Sequence, residues 1–144
     1  MIKQIEVEGI DDLRADFRRF GKDADKAIKR GVDATALAVE TDAKEKLKSD
    51  GHVDTRRLLQ SIHTETKQGQ QFSYRDANGA THTGSLGEKM KEDEAVAGTN
   101  VHYAPYVEFG TKYMKGDSYL GYAAVKQAKN LRERIIKELN KLIK

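Results

Sequence analysis

Cysteine is absent from the 144 residues. Its absence excludes disulfides, thiol nucleophiles and thiolate metal sites, and fits a reducing compartment. Proline occurs once, at position 105, so long Ala/Lys/Glu-rich tracts run uninterrupted and favour helix. No segment reaches the roughly 20 apolar residues needed to span a bilayer. The opening MIKQIEVEGIDDL has no apolar run of signal-peptide length. An excess of one charge is missing too. The 26 basic and 23 acidic residues leave +3, too little to imply nucleic acid by itself. The chain is long enough for one domain with a real core, yet polar enough that a partner is expected to complete some of its apolar surface.

What is present is mostly helical periodicity. Residues 2–8 alternate as a short strand that Gly9 breaks, and Asp11 and Asp12 favour a first helical turn. From about 10 to 49, Leu13, Phe17, Phe20, Ala24, Ile28, Gly31, Ala34/Thr35 and Ala38 recur every three or four positions, with Val32, Val39, Ala43 and Leu47 beside them. One straight helix over that span would be about 60 Å long, so a break near Gly21 is expected. The small residues Ala24, Ala27, Gly31 and Ala34 either admit a close backbone or merely reflect helix propensity. Gly51 ends the helix.

Residues 58–66, 70–75 and 94–101 read as strands, Leu58, Gln60, Ile62 and Thr64 alternating in the first. Asn78 and Gly79 signal a hairpin turn, and 76–93 reads as a flexible projecting loop. A last helix over 118–144, capped by Ser118 or Asp117, carries Leu120, Ala124, Ala128, Leu131, Ile135, Leu139 and Leu142 as one stripe. The expected fold class is α+β: one domain over 1–144, with a small antiparallel sheet of three to four strands packed against a long N-terminal helix and a long C-terminal helix.

Motifs for chemistry are sparse. His52, His63, His82 and His102 form no His-x-x-x-His pair, so no metal is expected, and His63 is read as pointing off the outer face of its strand. Ser61 lacks a nucleophile elbow, and GSLGEK lacks the spacing of a phosphate loop. Glu108 is the sole acid in an aromatic setting. The expectation is no enzyme, no cofactor and no small-molecule substrate. Arg56, Arg57, Lys126, Lys129 and Arg132 are candidates for facing DNA or an interface, and a small basic nucleic-acid-binding module is the alternative reading.

The stretch VHYAPYVEFGT, 101–111, concentrates aromatics, a proline, an acid and a glycine. Pro105 suits the first turn of a short helix over 104–109, and Tyr103, Tyr106 and Val107 are placed to face the body. Glu108 and Phe109 then end the turn, Gly110 suits a left-handed exit, and Thr111 closes it by a local hydrogen bond. Such a corner reverses the chain rigidly and holds the following loop, with Met114, in a fixed place. It is expected to plug the core and to present a subunit contact.

YAPYVEFGT, followed by a methionine and a helix beginning SYLGYAAV, resembles the signature of a family of tail-component proteins from long-tailed bacteriophages and prophages. DTRRLLQSI at 54–62 is similar to that family's stretch leading from the long helix into the first strand, and makes Thr55, Arg56, Leu58, Ser61 and Ile62 the matching loop positions. Arg56 stands where the family usually has glycine, Leu59 where it has arginine, and Ser118 and Tyr119 where it has proline and phenylalanine. The Arg56 backbone is therefore expected to be one that an L-residue tolerates. The resemblance implies a non-enzymatic virion protein of the neck or upper tail, acting in tail completion or head-to-tail joining. Its implied partners are further copies of itself in a ring, adjacent neck or tail proteins, and non-specifically the DNA in the channel, with no membrane. Its place would be the virion, and the host cytoplasm during assembly.

Overall fold

The computed structural model describes residues 14, 21–51, 56–67, 72–75, 78–86 and 90–142. Leu13, Phe17, Phe20, the expected strand at 2–8 and Thr55 lie outside them. The elements in order are α1 (Lys22–Ser49), α2 (Arg57–Ser61), β1 (His63–Thr66), β2 (Phe72–Arg75), β3 (Thr81–Gly84), β4 (Ala95–Gly98), α3 (Ala104–Phe109), α4 (Tyr119–Ala128) and α5 (Leu131–Leu142).

The spine is α1, about 42 Å long at 1.5 Å per residue. Gly21, at φ 59, turns the chain into it, Asp23 and Asp25 lie in its first turn, and Lys46 and Lys48 lie in its last. Both ends thus complement the helix dipole. Two hydrophobic clusters line the spine. Ala27, Ile28 and Val32 meet Leu131, Ile135 and Leu139 of α5. Val39, Ala43 and Leu47 meet Leu58, Ile62, Ala97, Val101, Ala104, Tyr119, Leu120 and Ala123.

The small-residue stripe has a partner inside the chain. A Cβ at Gly31 would sit 2.4 Å from Ile135 Cγ1 and 3.1 Å from Ile135 Cα. Glycine there lets α5 lie directly on α1. Ala24 and Ala27 are buried on the same side, whereas Ala34 is exposed.

The expected sheet of three to four strands packed against two long helices is not what the described residues form. Among the described residues two separate two-stranded antiparallel ladders occur, β1 with β4 and β2 with β3. The β1–β4 ladder is covered rather than widened. On one side the Thr64 hydroxyl donates to Ala36 O (3.2 Å) and Glu40 Oε2 (2.9 Å) of α1. Buried Glu65 accepts the Leu86 N–H through both carboxylate oxygens, at 3.0 Å each. Within the 76–93 span, Thr81–Gly84 pair with β2 across a turn at Asn78 and Gly79, the latter at φ 84.

Residues 57–61 are one helical turn, not strand. Leu58 and Ile62, four apart, reach one side either as alternate strand positions or as helix neighbours, so both periods fit the same residues. His63 is likewise buried rather than outward: Nδ1 donates to Ser61 O at 2.8 Å, and Nε2 faces Glu65 Oε1 at 3.1 Å.

The C-terminal helix is broken at Lys129 and Asn130, where the Asn130 N–H donates to Gln127 O at 3.0 Å, a tightened three-residue turn. Its buried positions are Tyr119, Leu120, Ala123, Gln127, Leu131, Ile135 and Leu139; Ala124 is half-buried and Ala128 exposed. Gln127 is held in a polar chain, donating to Asp42 while accepting from Arg134 (2.5 Å), which also donates to Thr35 Oγ1 (3.2 Å).

Two stability measurements check this packing. Gly31→Val forces α5 off α1 and should lower the unfolding free energy by about 1–3 kcal/mol in a urea titration, with partial recovery in the double variant Gly31→Val/Ile135→Ala. Arg56 has φ 55 and ψ −3, the left-handed region that an L-residue enters at a cost. Arg56→Gly should therefore raise stability by about 0.5–1 kcal/mol despite the looser unfolded chain, and an unchanged or lower midpoint would contradict the strain.

Candidate functional site

Residues 103–121 form the corner. Pro105 stands in the first turn of α3, where its missing N–H costs nothing. Ala104 is fully buried, and Tyr103 and Val107 pack on the main cluster. Tyr106 and Phe109 do not: they are 57% and 76% exposed. The aromatics of the motif thus divide, Tyr103 inward and the other two outward.

Glu108 is the junction. Its side chain is buried, and its carboxylate accepts from the backbone N–H groups of Leu120 and Gly121 and from Ser118 Oγ, each at 2.9 Å. Those two N–H groups belong to the first turn of α4, which has no partner for them within the helix. An anion there also meets the positive end of the helix dipole. Ser118 occupies the cap position, but its hydroxyl donates to Glu108 and makes no cap bond to the helix. Gly121 makes room, since a Cβ on it would lie 2.9 Å from Glu108 Oε1. The cap of α4 therefore comes from α3.

The exit is pinched by two glycines. Gly110, at φ 83 and ψ 177, occupies a region closed to other residues, and its N–H donates to Tyr106 O at 2.9 Å. A Cβ on it would fall 2.5 Å from Gly116 N; one on Gly116 would fall 2.5 Å from the Phe109 carbonyl carbon. Across this crossing Gly110 bridges Lys115, the Thr111 N–H donates to Met114 O (2.8 Å), and the Asp117 N–H donates to Val107 O (2.7 Å). Thr111 Oγ1 accepts from the N–H groups of Tyr113 (3.2 Å) and Met114 (3.1 Å). The turn is thus fixed by backbone and one hydroxyl, leaving Tyr113 90% and Met114 42% exposed.

Charge ties the corner to the spine. Lys46 Nζ lies 2.5 Å from Asp50 Oδ2, 3.3 Å from Asp117 Oδ1 and 5.2 Å from the Tyr122 ring centre. The hydrogen bond with Asp50 is the chief cause that raises the Lys46 ammonium, and the same bond holds the Asp50 carboxyl below its ordinary value. Tyr119 is fully buried, and its hydroxyl meets no partner among the described residues. Burial, then the Glu108 carboxylate, pushes its phenol far above the ordinary value, so it stays neutral.

The second matched stretch supports the corner from beneath. Leu58, Ser61 and Ile62 are buried, and Ser61 Oγ donates to Leu58 O (2.7 Å) and lies 2.6 Å from Thr99 Oγ1, which accepts the Val101 N–H (3.1 Å). Arg56 is exposed and Arg57 half-buried at the start of α2; Lys126, Lys129 and Arg132 are exposed on α4, the break and α5. Lys126 lies 3.5 Å from Asp42. The sequence signals for Gly116, Gly121 and Tyr119 were absent, because their roles depend on segments that approach only in the fold.

Residues 11–110 match the model of the HK97-gp10-like family, described as "Bacteriophage HK97-gp10, putative tail-component". The chain belongs to this family. Membership gives it a structural role in virion assembly, and the matched span runs through α1, both ladders and α3 to Gly110, the glycine that ends α3. No curated protein and no solved structure matches the chain.

Two substitutions check the tail component's corner. Glu108→Gln replaces one acceptor oxygen with a donor facing N–H or O–H groups, and should cost about 1–3 kcal/mol in urea unfolding. Tyr119→Phe removes a buried hydroxyl that has no partner, and should stabilise by about 1 kcal/mol; a loss of that size would reveal a hidden partner.

Proposed function

We propose that this tail component works in the phage neck or upper tail, in tail completion or head-to-tail joining, as a ring-like oligomer whose tip at 106–114 docks on the next component. One observation carries the reading: Phe109 and Tyr113 stand 76% and 90% exposed on a backbone that two glycines lock in place. Large aromatics held rigidly in water lose little entropy on binding and commonly anchor interfaces. The buried stripes of α1, α4 and α5 pack within the chain, while Leu37, Tyr122, Val125 and Ile136 stay exposed on those helices and are open to neighbouring copies in the ring. Among the described residues the tip holds the two most exposed large hydrophobic side chains, Tyr113 and Phe109.

The test is complementation of a phage lacking the gene. Phe109→Ala/Tyr113→Ala should melt like the wild type, since both side chains are exposed, yet leave unjoined heads and tails in electron micrographs. Loss of two anchors is worth about 2 kcal/mol each, or roughly 30-fold in affinity apiece. Wild-type yields of joined particles would overturn the reading.

A further inference from the structure

The tip carries charge as well as aromatic surface. Lys112 and Lys115 are exposed on the turn that presents Tyr113 and Met114, and Lys112 Nζ lies 5.6 Å from the Tyr113 ring centre. Neither lysine meets a carboxylate among the described residues. The acids nearby are already committed. Glu108 is buried on the start of α4, and Asp50 and Asp117 share Lys46. The turn therefore presents exposed apolar side chains together with two lysines that pair with no carboxylate among the described residues.

Resting on the reading of the tip as an assembly contact, we infer that its occupant is an apolar hollow rimmed by Asp and Glu carboxylates on a different virion protein. Desolvating Phe109 and Tyr113 supplies affinity, and opposed charges at the rim set orientation and reject wrong partners. A second copy of this chain fits less well. The hollow along its own α5, lined by Glu133, Ile136, Lys137, Asn140 and Lys141, has more cations than anions and would set lysine against lysine. Nucleic acid fits less well too, because two cations give few phosphate contacts and Phe109 and Met114 offer none.

Zero-length carbodiimide coupling of assembled particles tests this directly. The reagent activates a carboxylate, a lysine amine touching it displaces the reagent as a urea, and one amide bond remains. Mass spectrometry should find Lys112 or Lys115 joined to Asp or Glu of another virion protein. No such link, links only between copies of this chain, or photocoupling of the tip to DNA in its place would overturn the assignment. In complementation, Lys112→Glu/Lys115→Glu should reduce joined particles by more than about tenfold, while Lys112→Arg/Lys115→Arg keeps them. If Phe109→Ala/Tyr113→Ala fails but the charge-reversed variant joins normally, the acidic rim is wrong and the docking tip stands. If both join normally, the docking tip itself is wrong.

Discussion

The corner depends on a carboxylate that caps a helix it does not belong to. Glu108 ends α3, yet its oxygens satisfy the free N–H groups of α4. A buried anion without partners would be costly, and three donors with a helix dipole make this position favourable. Because the donors lie 12 and 13 residues downstream, the bond fixes the direction of α4 relative to α3. The intervening turn must then close within a set distance, and Gly110, Gly116 and Gly121 are small where that closure brings atoms together.

The spine organises the remainder. One helix meets α5 along its first half and the main cluster along its second, with Gly31 setting the closest approach. The polar chain from Asp42 through Gln127 and Arg134 to Thr35 lies where α4 gives way to α5. Satisfied polar groups at such a junction favour one register of α5 on α1 over neighbouring ones. This packing buries one stripe of each long helix, while Tyr106, Phe109 and Tyr113 stay exposed at the corner.

The helix over 22–49 with its turn at Gly21, the start of the C-terminal helix, the proline-started turn and the glycine exit were legible in the sequence because each rests on local backbone preference, whereas the break at Lys129 and Asn130 was not. The family resemblance was legible in YAPYVEFGT for the same reason: a compact bend keeps its residues adjacent in the chain. The expectation for 57–61 failed because Leu58 and Ile62 suit two periods at once. The sheet was over-counted because local alternation marks a strand without naming its neighbour, and the pairing of β1 with β4 was decided by α1 covering one side and Glu65 holding Leu86 on the other.

By itself, then, the sequence determined the long helix at 22–49 and the proline-to-glycine bend at 105–110, since those are settled by spacing, propensity and permitted φ within a few residues. Tertiary structure alone decided that Glu108 caps α4, that Gly31 seats α5 and that Phe109 faces water while Tyr103 does not. Those outcomes turn on which distant atoms come within a few ångströms, and on the desolvation that follows.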